Sequence, residues 1–114
     1  MPPPTGRSLD RRLTVAGIGV AGLYLAAAAC SLVLPVSERR GLWLPLHLAF
    51  LGGGGTAISA VLPFFAASLS AVPPPSPVLR AVGIIAVGAG AAAVTGGVAA
   101  SSVGIALAGA ALVL

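Results

Sequence analysis

The chain has 114 residues, of which 58% are hydrophobic and only 7% are charged, and its mean hydropathy is +1.10. Soluble globular domains carry about a quarter charged residues, so this composition excludes a soluble globular domain. The net charge of +4 does not indicate a nucleic-acid partner, because the sequence has no basic helix face and no basic–aromatic pattern. The composition predicts an all-α integral membrane protein whose surroundings are the lipid bilayer.

A short polar tail precedes the first apolar segment. Residues 1–12 include three consecutive prolines and are predicted to form a cytoplasmic tail without a regular start. The first transmembrane span is predicted from about Leu13 to Val36, and it ends at Pro35 and the charged turn that follows. The remainder of the chain, residues 13–114, is predicted to be a transmembrane helical bundle.

The first span has an alternative interpretation as a cleaved signal. Arg11-Arg12, an apolar stretch and the segment from Ala27 to Cys30 resemble a twin-arginine signal that ends in a lipoprotein box. However, the residues after Cys30 continue the apolar run instead of beginning a polar tether, and Ala27 stands where such boxes usually carry Leu. We therefore predict that this segment is a retained span.

The second span is predicted from about Leu42 to Ser70, with Trp43 at the headgroup level. Pro63 is expected to kink its far half unless a neighbour satisfies the carbonyl that the proline frees. The four glycines Gly52–Gly55 predict a close backbone approach or a local break in the helix. They do not form a phosphate-binding loop, because the required Lys and a preceding strand are absent.

A proline-rich linker, residues 72–77, separates the second span from the third, and Arg80 is expected to close this loop. Residues 81–114 are all uncharged. At 1.5 Å per residue they would extend over roughly 50 Å, whereas the hydrocarbon core is about 30 Å thick. We therefore predict a third span at about 81–99 and a truncated fourth span at about 102–114, which makes the sequence a fragment of a larger polytopic protein.

The arginines predict the orientation. Four of them, Arg7, Arg11, Arg12 and Arg80, flank one side of the predicted bundle, and Arg39 and Arg40 flank the other. The positive-inside rule then places the N-terminus in the cytoplasm. Every basic residue is Arg, and Ala and Gly are abundant, a bias typical of a GC-rich bacterial genome. The predicted location is a bacterial plasma membrane.

Small residues recur at every fourth position of the third apolar run, namely at Gly88, Ala92, Gly96 and Ala100. This spacing places them on one helix face, where the lack of bulk lets another backbone come close. We expect this face to pack inside the bundle, and a dimerisation face is the alternative. Partners of either kind would be further transmembrane helices of the same or another chain.

His47 is the only histidine, and it lies one helical turn after Trp43 inside the second span. Ionisable groups at membrane depth are costly and tend to face the bundle interior, which makes such a residue a candidate for function. At helical spacing, the residues roughly on the same side of the helix are Phe50, Leu51, Gly54, Ile58 and Phe65. Glycine on this side would leave room for a flat ligand such as a porphyrin. The alternative is a neutral imidazole that is hydrogen-bonded to a carbonyl or a hydroxyl group near the interface.

The second span also resembles a known type of helix. The run Trp43-Leu-Pro-Leu-His47-Leu-Ala-Phe-Leu51-Gly52, followed by Ile58 and Phe64-Phe65, is similar to the histidine-bearing helix of haem-copper oxidase and nitric oxide reductase large subunits and of NnrS-type membrane haem proteins. The resemblance implies that His47 is a haem or copper ligand in a bundle of many helices. A second histidine that often follows in such helices is replaced here by Pro63-Phe64-Phe65.

No complete catalytic constellation is present in the sequence. It contains one His, one Cys, one Asp and one Glu, whereas a catalytic zinc site needs about three protein ligands and a hydrolytic site needs a base beside its nucleophile. The sequence predicts a multi-pass membrane protein without stating its activity. Part of a haem- or copper-binding membrane protein is one alternative, and a transporter or membrane scaffold subunit, whose spans can be interrupted by Gly and Pro, is the other.

Overall fold

The computed structural model describes residues 6–114. Of these residues, 81% are helical and none lies in a strand. The elements are α1 (Gly6–Ser31), α2 (Trp43–His47), a π-helical segment (Leu48–Gly54), α3 (Gly55–Ser70), α4 (Pro77–Ala99) and α5 (Val103–Val113). Three stretches, Arg7–Ser31, Trp43–Ser70 and Pro77–Ala99, are long and apolar enough to cross a membrane. The predicted all-α multi-pass membrane fold is therefore confirmed, and α5 is the shorter fourth helix.

Helix α1 begins and ends earlier than the hydropathy pattern predicts. It begins at Gly6 instead of Leu13, so that part of the predicted irregular tail is helical; residues 1–5 of that tail lie outside the described part. At the other end the chain leaves the helix after Ser31 through hydrogen bonds of the i→i−3 type, such as Leu32 N to Ala29 O at 3.2 Å. The tighter turns precede Pro35, since the residue before a proline avoids the α conformation.

The second span is one helical stretch that changes its hydrogen-bonding pattern at the glycines. The π-helical segment ends at Gly54, and α3 continues directly from Gly55 through Pro63. A Cβ at Gly52 would lie 2.1 Å from the ring of Tyr24, and one at Gly55 would lie 3.1 Å from Val87. Of the two alternatives predicted for the glycine run, the close approach is confirmed at Gly52, whereas the helix does not break and only changes to π-type hydrogen bonding.

The loop between α3 and α4 is non-helical over residues 71–76, as the prolines predict. Ser76 caps α4 by accepting a hydrogen bond from Leu79 N at 3.2 Å, and Pro77 occupies the first helical turn, where its missing N–H costs nothing. Helix α4 therefore begins before Arg80. The expectation that Arg80 closes the loop is wrong, because the residue lies inside the helix and is buried.

Helices α4 and α5 form a tight antiparallel hairpin. Ser102 N donates to Gly97 O at 2.7 Å in the connecting turn, and the Ser102 side chain caps α5. A Cβ at Gly97 would lie 2.5 Å from the backbone nitrogen of Ala106, and one at Gly109 would lie 2.7 Å from the carbonyl oxygen of Gly90. The two backbones are thus in direct contact, as small residues permit in membrane helices.

The bundle interior is built mainly from small side chains and backbone. The buried hydrophobic residues are Ala21, Ala28, Ala60, Ile84 and Ala91, whereas most Leu, Val and Phe side chains are exposed. Lipid tails are as apolar as leucine, so close packing of small residues, and not burial of large ones, holds such helices together. Helix α1 is antiparallel to α3 and parallel to α4, with Gly17 against Ala60 and Tyr24 donating a hydrogen bond to Gly88 O.

Candidate functional site

His47 is the last residue of α2, directly before the π-helical segment. Its Nδ1 lies 2.8 Å from the carbonyl oxygen of Trp43, one turn earlier, and its ring stacks on the Trp43 indole with centroids 4.0 Å apart. A carbonyl oxygen only accepts, so this contact assigns the proton to Nδ1. In the neutral imidazole, Nε2 then carries a lone pair, which is the form in which an imidazole binds a metal.

The half-buried imidazole lies in the wall of an apolar groove of about 610 Å³ between the second span and the α4–α5 hairpin. The groove is open toward the surroundings of the bundle. Its size is within the range of about 300–1,000 Å³ that is common for ligand sites. The other residues in its wall are Leu46, Phe50, Leu51, Val94, Ala110, Val113 and Leu114.

The predicted origin of this space is wrong. Gly52 and Gly53 do not open a volume beside His47, because the Tyr24 ring and the Leu25 side chain of α1 lie against them. Of the residues expected on the histidine side of the helix, Phe50 and Leu51 do line the groove, whereas Gly54, Ile58 and Phe65 do not.

The groove can supply one metal ligand from the described part of the chain. No group of three or more His, Cys, Asp or Glu side chains that could hold a metal ion occurs within residues 6–114. A copper ion bound by protein side chains therefore does not fit these residues alone. A haem iron fits better, because its porphyrin fills most coordination positions and the protein needs to contribute as little as one axial histidine.

A second polar site, which the sequence analysis missed, lies at the end of the bundle where α1 and α4 begin. Arg80 Nη1 and Asp10 Oδ1 form an ion pair at 2.7 Å. Arg80 Nη2 also donates to Thr14 Oγ1 at 2.9 Å and to the carbonyl oxygen of Ala60 at 3.0 Å. One guanidinium thus connects three spans. The opposite charges flanking two spans on the same predicted side were the sequence feature that could have indicated it.

The acceptor Ala60 O lies three residues before Pro63. A proline cannot donate to the preceding turn of its helix, and its ring displaces the carbonyls there. Arg80 therefore donates to a carbonyl of the turn that Pro63 perturbs. The carbonyl that Pro63 itself frees is that of Ser59, four residues earlier, so Arg80 bonds the neighbouring carbonyl, and the kink expected at Pro63 stays a prediction.

The small-residue face is placed differently from the prediction. Gly88 is buried and accepts the hydrogen bond of Tyr24. Ala92, Gly96 and Ala100 are exposed, and a Cβ at Gly96 would meet nothing within 4 Å. The packing inside the bundle that we expected for these four residues thus involves only Gly88, because α4 is rotated so that Gly90 and Gly97 face α5.

Comparisons of the chain with protein-family profiles, with curated proteins and with solved structures find no match.

Proposed function

We propose that this membrane protein contributes His47 as an axial ligand to a haem held in the apolar groove. The observation that carries the proposal is the state of the imidazole. The Trp43 carbonyl oxygen accepts from Nδ1 and the indole stacks on the ring, so that Nε2 of the neutral imidazole keeps a lone pair, and His47 lines an apolar space of about 610 Å³. A hydrogen-bonded second nitrogen is the usual companion of a metal-binding histidine.

The chain's own residues would orient the imidazole and keep water from the ligand. A bound haem would supply electron-transfer or gas-binding chemistry. Which of the two it supplies would depend on the ligand opposite His47. In the described part of the chain His47 is the only ligand at the groove. A second axial ligand would come from another transmembrane helix, which makes further helices the expected partners.

We also propose a bacterial plasma membrane as the location, with the N-terminus in the cytoplasm. The use of Arg as the sole basic residue supports a bacterial source. The orientation is supported by Arg7, Arg11 and Arg12 in the first turns of α1, which exceed in number the two arginines of the first loop. Arg80 contributes less than a simple count assumes, since Asp10 neutralises it.

The test is a titration of the purified chain in mild detergent with haem b. The expected result is a shift of the haem Soret band on binding, and His47→Ala should abolish this shift while the amount of protein in the membrane stays the same. Ala110→Leu should weaken binding by filling the groove, whereas Ala108→Leu adds the same bulk at an exposed position outside it. No haem binding, or binding that is unchanged in His47→Ala, would contradict the proposal.

The alternative is a membrane scaffold or transporter subunit, and one observation favours it. Ala92, Gly96 and Ala100 form an exposed small-residue face on α4, which suits close contact with a helix of another chain. In a Cys30→Ser background, Gly96→Cys should then form disulfide-linked dimers, and Gly83→Cys should not, although both positions are open. Equal cross-linking at both positions would reject this alternative.

A further inference from the structure

We infer that the first turns of α1 form a binding site for the phosphate of an anionic phospholipid whose acyl chain lies along α1. The site consists of Arg7, Arg11 and Arg12 around a recess of about 770 Å³, with Val15 and Ala16 toward the membrane side. This site is at the same end of the bundle as Asp10 and lies away from the groove of His47.

The charges at this end leave the three arginines available. Asp10 is the only carboxylate of α1, and it is paired with Arg80, whose side chain is 3% exposed. Arg7, Arg11 and Arg12 are exposed and make no ion pair with another described residue. The sequence predicts no basic helix face, but α1 begins at Gly6, so Arg7 and Arg11, four positions apart, do share one, and their guanidinium groups can approach one phosphate together there. Guanidinium and phosphate are matched in charge and in hydrogen-bonding geometry.

The surface below the arginines indicates a lipid and not a free phosphate ion. Val15 and Ile18 are exposed on α1, one and two turns below Arg11. Gly19 and Gly22 follow on the same side, and a Cβ at either position would meet nothing within 4 Å. The arginines thus lie at the head of an open apolar strip on the helix surface, formed by Val15, Ile18, Gly19 and Gly22. A phospholipid presents its phosphate and its acyl chain in this order from the membrane surface inward.

The experiment reconstitutes the full chain in nanodiscs of phosphatidylcholine with a minor fraction of phosphatidylglycerol and measures the phosphatidylglycerol retained on the purified protein by mass spectrometry. Each arginine near an anionic surface contributes a factor of roughly five to binding. Arg11→Gln/Arg12→Gln should therefore lower retention by about 25-fold at most. The control, Arg39→Gln/Arg40→Gln, removes the same charge from the other end and should leave retention unchanged.

A second pair of variants tests the apolar strip without changing the charge. Gly19→Leu places a bulky side chain where the acyl chain would lie and should lower retention, whereas Gly83→Leu adds the same side chain at an open position of α4 and should not. If the two double arginine variants lose phosphatidylglycerol equally, the net charge alone explains retention and the proposed site is wrong. Two results would show that the occupant of the site is not a lipid. One is phosphatidylglycerol retention that Gly19→Leu leaves unchanged, and the other is displacement of the phosphatidylglycerol by inorganic phosphate alone.

Discussion

Asp10 and Arg80 are separated by 70 positions in the sequence, and their side chains form an ion pair of 2.7 Å at one end of the bundle. The pair is asymmetric, because the Arg80 side chain is 3% exposed and that of Asp10 is 32% exposed. Water can reach the carboxylate more easily than the guanidinium. Removal of Asp10 therefore leaves a buried charge, whereas removal of Arg80 leaves a partly exposed one.

Removal of Asp10 should destabilise the protein more than removal of Arg80. Asp10→Ala leaves a buried cation without its counter-ion, and breaking a buried pair in this way costs about 3–5 kcal/mol. Arg80→Met leaves a carboxylate that water can solvate, so we expect a loss of about 1–2 kcal/mol. The double variant should be more stable than Asp10→Ala alone. The free energy of unfolding in mild detergent measures all three, and Arg11→Met is the control. The opposite order would contradict the assigned burial.

Gly52 should not tolerate even one methyl group. A Cβ at this position would lie 2.1 Å from the Tyr24 ring, and overpacking of this kind costs about 1–3 kcal/mol. Gly19→Ala is the matched control, since its Cβ meets nothing within 4 Å and alanine favours the helix by up to about 1 kcal/mol. Thermal unfolding of the two variants should thus show shifts of opposite sign. A stable Gly52→Ala protein would mean that α1 does not pack on the π-helical segment.

Two neighbouring glycines in α4 give a test of the hairpin. Gly97→Ala should separate α4 from α5, because its Cβ would lie 2.5 Å from the Ala106 nitrogen, whereas Gly96→Ala points into open space. We expect a loss of about 1–3 kcal/mol for the first variant and no loss for the second. Proteolysis of the hairpin turn in detergent is the measurement. Equal cleavage of both variants would show that α5 packs elsewhere.

The orientation can be tested with two valines in opposite loops. Val36 and Val72 are both exposed, and they lie in the first and second loops. In a Cys30→Ser background, Val36→Cys should react with a membrane-impermeant maleimide in intact cells, whereas Val72→Cys should react only after permeabilisation. This result follows from an N-terminus in the cytoplasm. Labelling with the reverse pattern would invert the proposed topology.

The sequence predicts the three spans and the proline-rich loop well, because hydropathy and proline act locally. It does not predict the role of Arg80. The sequence around a charge at the end of a span looks the same whether that charge lies in a loop or in a buried ion pair. The packing face of α4 was also ambiguous. This helix is rich in Ala and Gly, and its glycines mark two different faces, one with Gly88 and Gly96 and the other with Gly90 and Gly97. Only the position of α5 decides which of these faces packs in the hairpin.

The candidate site could likewise be predicted from the sequence only in part. His47 and its neighbours Phe50 and Leu51 were indicated by their spacing in the second span. The opposite wall of the groove comes from Val94, Ala110 and Val113, which are distant in sequence and carry no pattern of their own. The glycines were correctly identified as a point of close approach, but their partner is Tyr24 and not a ligand.

The ion pair also fixes an order of events during biosynthesis. Asp10 belongs to the first span to be synthesised, and Arg80 to the third. At about 5–20 residues per second, a sequence separation of 70 positions places the synthesis of the two side chains roughly 4–14 s apart. During that interval the Asp10 carboxylate cannot pair with Arg80. The contacts by which Arg80 joins α1 and α3 to α4 can therefore form only after both of those helices have been synthesised.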